Sequence, residues 1–148
     1  MSDWSGNAAR KFLEKKKTQQ LQDAKVLHDE KLLNLNSPAM WTGLREILIA
    51  RCGEFNAETG VGNVLGCDDS EPHSLTIMNA DAGISLTVAF DQERHRIKVS
   101  GLAANPERGD IAIAVRNGSS ELVFLDKKHM AVSAEQIAGG ILDDLLGK

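Results

Sequence analysis

A chain of 148 residues, 42% hydrophobic and 26% charged with net charge −4, suffices for one domain with its own core and lies outside disordered or fibrous composition. No stretch approaches the roughly 18–20 uninterrupted apolar residues of a membrane span, and the N-terminus, MSDWSGNAARKFLEKKK, lacks the apolar core of a cleaved signal peptide. Two cysteines, Cys52 and Cys67, are too few for a disulfide framework, so a cytoplasmic protein with reduced thiols is expected.

The charge is unevenly spread. Residues 1–36 hold seven Lys/Arg against five Asp/Glu, and the rest hold ten against sixteen. An acidic body opposes the phosphate attraction on which nucleic-acid binding rests. Two Trp, four Phe and no Tyr leave little material for base stacking. The basic run RKFLEKKK is interrupted by Glu14 and reads as a solvated helix face. Neither a nucleic acid nor a membrane is an expected partner.

From about Asn7 to Leu33 the chain lacks Pro and Gly and is rich in Lys, Gln, Leu, Ala and Glu, which favours a helix. Its apolar seam is sparse: Ala9, Phe12 and Leu13, a polar stretch, then Leu21, Ala24, Leu27 or His28, and Leu32 to Leu35. That seam is too irregular for a sustained coiled coil. Such a helix must lie along the domain, pair with a copy of itself, or fray.

A second helix is predicted from Ser37. Ser37 suits an N-cap, and Pro38 suits the first helical position, where its missing N–H costs nothing. Trp41, Leu44, Leu48, Cys52 and Phe55 then recur at spacings of three and four, with Ile47 beside them, so this helix should be core.

After NAETGVGN the apolar period changes to alternation. SLTIMN, ISLTVAF, HRIKVS, DIAIAV and ELVFLD each alternate apolar with small or polar residues, as half-buried strands do. A short first strand, NVLGC, precedes them. The connectors ADAG, DQER and NGSS are turn-like, with Asn117-Gly118 the strongest hairpin signal, while GLAANPERG reads as a surface loop. Short turns imply antiparallel neighbours. In SAEQIAGGILDDLLGK, Ser133 and Gln136 have capping-box spacing ahead of Ile137, Ile141, Leu142, Leu145 and Leu146. The expected fold is α+β: two N-terminal helices, an antiparallel meander sheet of five or six strands, and a C-terminal helix packed on one sheet face. Residues 1–36 would be a long charged helix, an extension or dimerisation arm, and residues 37–148 a single α+β domain.

The most chemically loaded stretch is GCDDSEPH, Gly66 to His73. It lacks the close ligand pairs of a zinc site and the D-x-[DN]-x-[DN]-G pattern of a calcium loop. Asp, Ser and Pro each favour turns, so a polar turn is the simpler reading. GVGNVLG misses the dinucleotide fingerprint, because its third glycine is one place late and it leads from a helix into a strand. No metal or cofactor is expected. Cys52, on an apolar helix face, should be a buried, inert thiol.

His28, His73, His95 and His129 are scattered. His95 shares the parity of Ile97 and Val99 and is read as a hydrogen-bonded structural residue at the edge of the core face. An acid/base or metal site would require His73 and His95 to converge with Asp68 or Asp69 at the sheet end. No G-x-S-x-G elbow supports a hydrolase.

The second sheet face carries small or mildly apolar residues: Thr76, Met78, Thr87, Ala89, Ala112, Ala114, Val123 and Leu125, with charge at Arg96 and Lys98. A solvated antiparallel face normally carries more long polar groups. The long first helix, a second copy of the chain or another protein could cover it. The sequence therefore reads as a small cytoplasmic protein-binding or adaptor module without catalytic activity, acting through this face and the N-terminal helix. Its partner would be another protein or a second copy. The alternative is a small enzyme with its site near Asp68, Asp69, His73 and His95.

Overall fold

Alternating segments joined by short turns can pair only with their sequence neighbours, and the sheet is built that way. The computed structural model describes residues 3–101, 103–106, 109–116 and 120–147. Its elements are α1 (Asp3–Thr59), β1 (Leu65–Asp68), β2 (Ser74–Asn79), β3 (Ile84–Asp91), β4 (Arg96–Ser100), β5 (Asp110–Val115), β6 (Leu122–Leu125), β7 (Ala131–Val132) and α2 (Ala134–Leu146). The strands lie in sequence order in one sheet, and every pairing is antiparallel. The architecture is α+β, as expected, with seven strands where five or six were predicted. The seventh, β7, has two residues, too few to give a periodic signal. The predicted Asn117-Gly118 turn lies outside the described residues, as do residues 102, 107 and 108 of the loop after β4.

The larger correction concerns the helices. In place of two N-terminal helices, one runs from Asp3 to Thr59 with Pro38 inside it. An interior proline forfeits a backbone hydrogen bond and costs about 3 kcal/mol. The next turns bury Trp41, Leu44, Leu48 and Cys52 in the core, and burial contributes about 1.5–3 kcal/mol for each large apolar side chain. Ser37 does not cap. It is fully buried, and its hydroxyl is 3.0 Å from His95 Nδ1, so the oxygen a cap would have used is engaged across the fold. The boundary drawn between residues 36 and 37 falls inside this single helix.

Alternate strand residues and both helices meet in one core. Leu75, Ile77, Leu86, Val88, Ile97, Val99, Ile111, Ile113 and Phe124 face Trp41, Leu44, Leu48 and Cys52 of α1 and Ile137, Ile141 and Leu145 of α2. Trp41 stacks on Phe90 with ring centroids 5.9 Å apart and an interplanar angle of 12°, and its Nε1 donates to the Pro72 carbonyl at 2.9 Å. The C-terminal helix starts at the capping box expected from sequence: Gln136 N donates to Ser133 Oγ, and Ser133 N donates to Gln136 Oε1. Buried Asn79 ties the sheet to the end of α2 through Nδ2 to the Leu145 carbonyl, 2.9 Å.

The first half of α1 packs on none of the other described elements. Every residue from Asp3 to His28 is exposed. At 1.5 Å per residue this arm projects about 39 Å. No helix among the described residues is long and apolar enough to cross a membrane.

Candidate functional site

The acidic turn between β1 and β2 consumes much of its own chemistry. The Asp68 carboxylate accepts from Ser70 N at 3.1 Å and Ser70 Oγ at 2.7 Å. These bonds to its charged form hold the Asp68 carboxyl below its ordinary value. The Asp69 carbonyl accepts from Arg45 Nη2 at 2.6 Å, which pins the turn to α1.

The histidines have different partners. His73 is exposed and sets its ring edge against Phe90, centroids 5.7 Å apart. His95 lies in the turn before β4 with φ 53°, and its Nδ1 meets the Ser37 hydroxyl. Its backbone carbonyl accepts from Ile113 N at 2.8 Å. Three of the four residues on which an acid/base site would depend thus have different side-chain partners, Ser70 for Asp68, Phe90 for His73 and Ser37 for His95, while Arg45 holds Asp69 by its backbone carbonyl and not by its carboxylate. Among the described residues no group of three His, Cys, Asp or Glu side chains is placed to hold a metal ion.

A thiol pair that spacing did not indicate is present. Cys52, buried on α1, and Cys67, half-buried on β1, are free thiols that each shift the other's ionisation. The Cys67 side chain, with burial adding to the effect, pushes the Cys52 thiol up. The Cys52 side chain in turn brings the Cys67 thiol below its ordinary value. The residues are fifteen apart in sequence on different elements, so only the packing of α1 on β1 reveals the pair.

A cleft of about 550 Å³ opens where β5 and the β6–β7 turn meet the start of α2, lined by Asn105, Asp110, Ile111, Asp126, Lys127, Val132, Gln136 and Ile137. The sequence singled out none of these as site residues, because they come from separate segments without a shared motif. Much of the polar lining is committed to the fold. Asp110 Oδ2 is 2.8 Å from Arg96 Nη1, Asp126 Oδ1 accepts from Lys128 N and Met130 N, and Lys127 Nζ donates to the Pro106 carbonyl.

The second sheet face is the largest feature left unexplained by the internal packing. α1 and α2 both join the core on the opposite side. Thr76, Thr87, Ala89, Ala112, Ala114, Val123 and Leu125 are half-buried, and Met78 is 51% exposed. Register aligns them into a continuous strip: Thr76 pairs with Thr87, Ala89 with Lys98, Arg96 with Ala112, Ala112 with Leu125 and Ala114 with Val123. Thr76 Oγ1 and Thr87 Oγ1 share a hydrogen bond of 3.0 Å, so two hydroxyls on this strip satisfy one another. Of the three coverings considered from sequence, the chain's own first helix is excluded: its C-terminal half packs on the other face and its N-terminal half stands in solvent. Comparison of the chain with protein-family models, with curated proteins and with solved structures finds no match.

Proposed function

We propose that the chain is a small protein-binding or adaptor module without catalytic activity, whose surfaces are the uncovered sheet face and the projecting N-terminal helix. The observation that carries this reading is the one-sided packing. Both helices cover one face of a seven-stranded sheet, and the other carries the short side chains of Thr76, Thr87, Ala89, Ala112 and Ala114 beside Met78, Arg96 and Lys98. Short side chains permit close approach of a helix or a second sheet. The separate engagement of Asp68, His73 and His95 lends the acid/base alternative no comparable support.

A photo-crosslinking side chain placed at Ala89, in the cells that make the protein, tests the reading. A discrete protein adduct is expected, absent when the same group replaces exposed Glu58 on α1. Ala112→Glu should abolish the adduct while leaving the melting temperature within a few degrees. Failure of Ala89 to give more than the Glu58 control would overturn the proposal.

A further inference from the structure

The exposed half of α1 carries large apolar side chains in water: Trp4, Phe12, Leu13, Leu21, Val26 and Leu27 are each more than half exposed. At about 100° per residue, Ala9, Phe12, Leu13, Lys16, Gln19, Gln20, Asp23, Val26, Leu27 and Glu30 fall along one broad stripe. Lys16 Nζ lies 5.9 Å from the centre of the Phe12 ring, which places those two side chains together on it. Helices in proteins draw most of their stability from packing an apolar face rather than from propensity, so a partner along the stripe would stabilise the arm.

The order of residues on the stripe says what that partner is. Phe12–Leu13 and Val26–Leu27 stand at equal distances from the midpoint between Gln19 and Gln20, and so do Lys16 and Asp23. We infer that the arms of two copies of this chain pair antiparallel about a two-fold axis passing between Gln19 and Gln20. Phe12 and Leu13 of each copy then pack on Val26 and Leu27 of the other, and this apolar cluster forms twice. Lys16 of each lies against Asp23 of the other, and the four glutamines meet at the axis. A parallel pairing would instead set Lys16 on Lys16, Asp23 on Asp23 and Glu30 on Glu30, which like-charge repulsion disfavours. The short matched segment, with a polar centre, also accounts for a seam too interrupted to read as a long coiled coil.

This inference rests on the reading of the N-terminal helix as an interaction element, and it names the occupant. Because the arm buries nothing in the body, its surface can be changed without touching the core. Sedimentation equilibrium of the full chain should show a dimer. Lys16→Glu or Asp23→Lys alone should weaken it about tenfold or more, since each substitution turns two opposite-charge contacts into like-charge ones. The double variant should restore the dimer. A monomer at all concentrations, a dimer indifferent to the single reversals, or a double variant no better than the singles would each overturn the pairing. The Ala89 crosslink, on a different surface, reports separately on the sheet face, so loss of the dimer and loss of the binding reading are distinguishable.

Discussion

The Ser37 hydroxyl and His95 Nδ1 lie 3.0 Å apart, joining the middle of α1 to the turn between β3 and β4 across 58 residues of sequence. Ser37 is fully buried, so truncating it would leave the nitrogen of the half-buried imidazole without this partner. Ser37→Ala should therefore cost about 1–3 kcal/mol, read as a lower midpoint in urea with an unchanged slope. An unaffected midpoint would show that the contact contributes nothing to stability.

Gly101 holds a backbone that other residues cannot adopt easily. Its φ is +120°, and a Cβ there would come within 2.7 Å of the Ser85 carbonyl oxygen and 2.9 Å of Leu86 Cα. Both obstacles are backbone atoms of β3, so the relief would require the strand to move. Gly101→Ala is expected to destabilise the domain by about 2 kcal/mol or more, whereas Gly66→Ala, which meets nothing within 4 Å, should change the melting temperature little.

The thiol pair predicts unequal reactivity. Cys67 is the more accessible of the two and has its thiol lowered by the Cys52 side chain, while Cys52 is buried and its thiol is raised. Iodoacetamide should label Cys67 in the native protein and Cys52 only on unfolding. The labelling rate of Cys67 should rise with pH through a midpoint below that of a free thiol. Cys52→Ala removes that neighbour and should move that midpoint upward; mass spectrometry of the labelled protein at several pH values would measure it.

Asp68 supplies a pH dependence whose sign is fixed. Its folded-state carboxyl is lowered by the two bonds from Ser70. The contribution to stability is thus fully present above the unfolded value and fades as pH falls through the lower folded one. The stability curves of the wild type and Asp68→Asn should stay parallel near neutrality and converge in acid, at pH below about 4. Denaturation in urea across that range would show it, and a constant gap down to the most acid point would contradict it.

The legible parts of this fold were those encoded by neighbours. Ser133 and Gln136 cap α2 as their spacing predicts, because a capping box involves only residues three apart. Alternation in SLTIMN and ISLTVAF gave strands with the correct buried residues, Leu75, Ile77, Leu86 and Val88, because the period of a strand needs no knowledge of its partner. Ser37-Pro38 carried an equally clear local signal for a helix start, and there the tertiary contact prevailed: the hydroxyl found His95 instead of a backbone N–H.

The sequence by itself determined the α+β class, the meander and the composition of both sheet faces, since each follows from periodicity and turn chemistry within a few residues. Only the tertiary structure decided that α1 runs unbroken through Pro38, that Cys52 meets Cys67, and that both helices share one face and leave the other bare. Those outcomes depend on distances between residues far apart in the chain. Such distances are set by which packing buries the most apolar surface while satisfying its polar groups, a property of the whole fold.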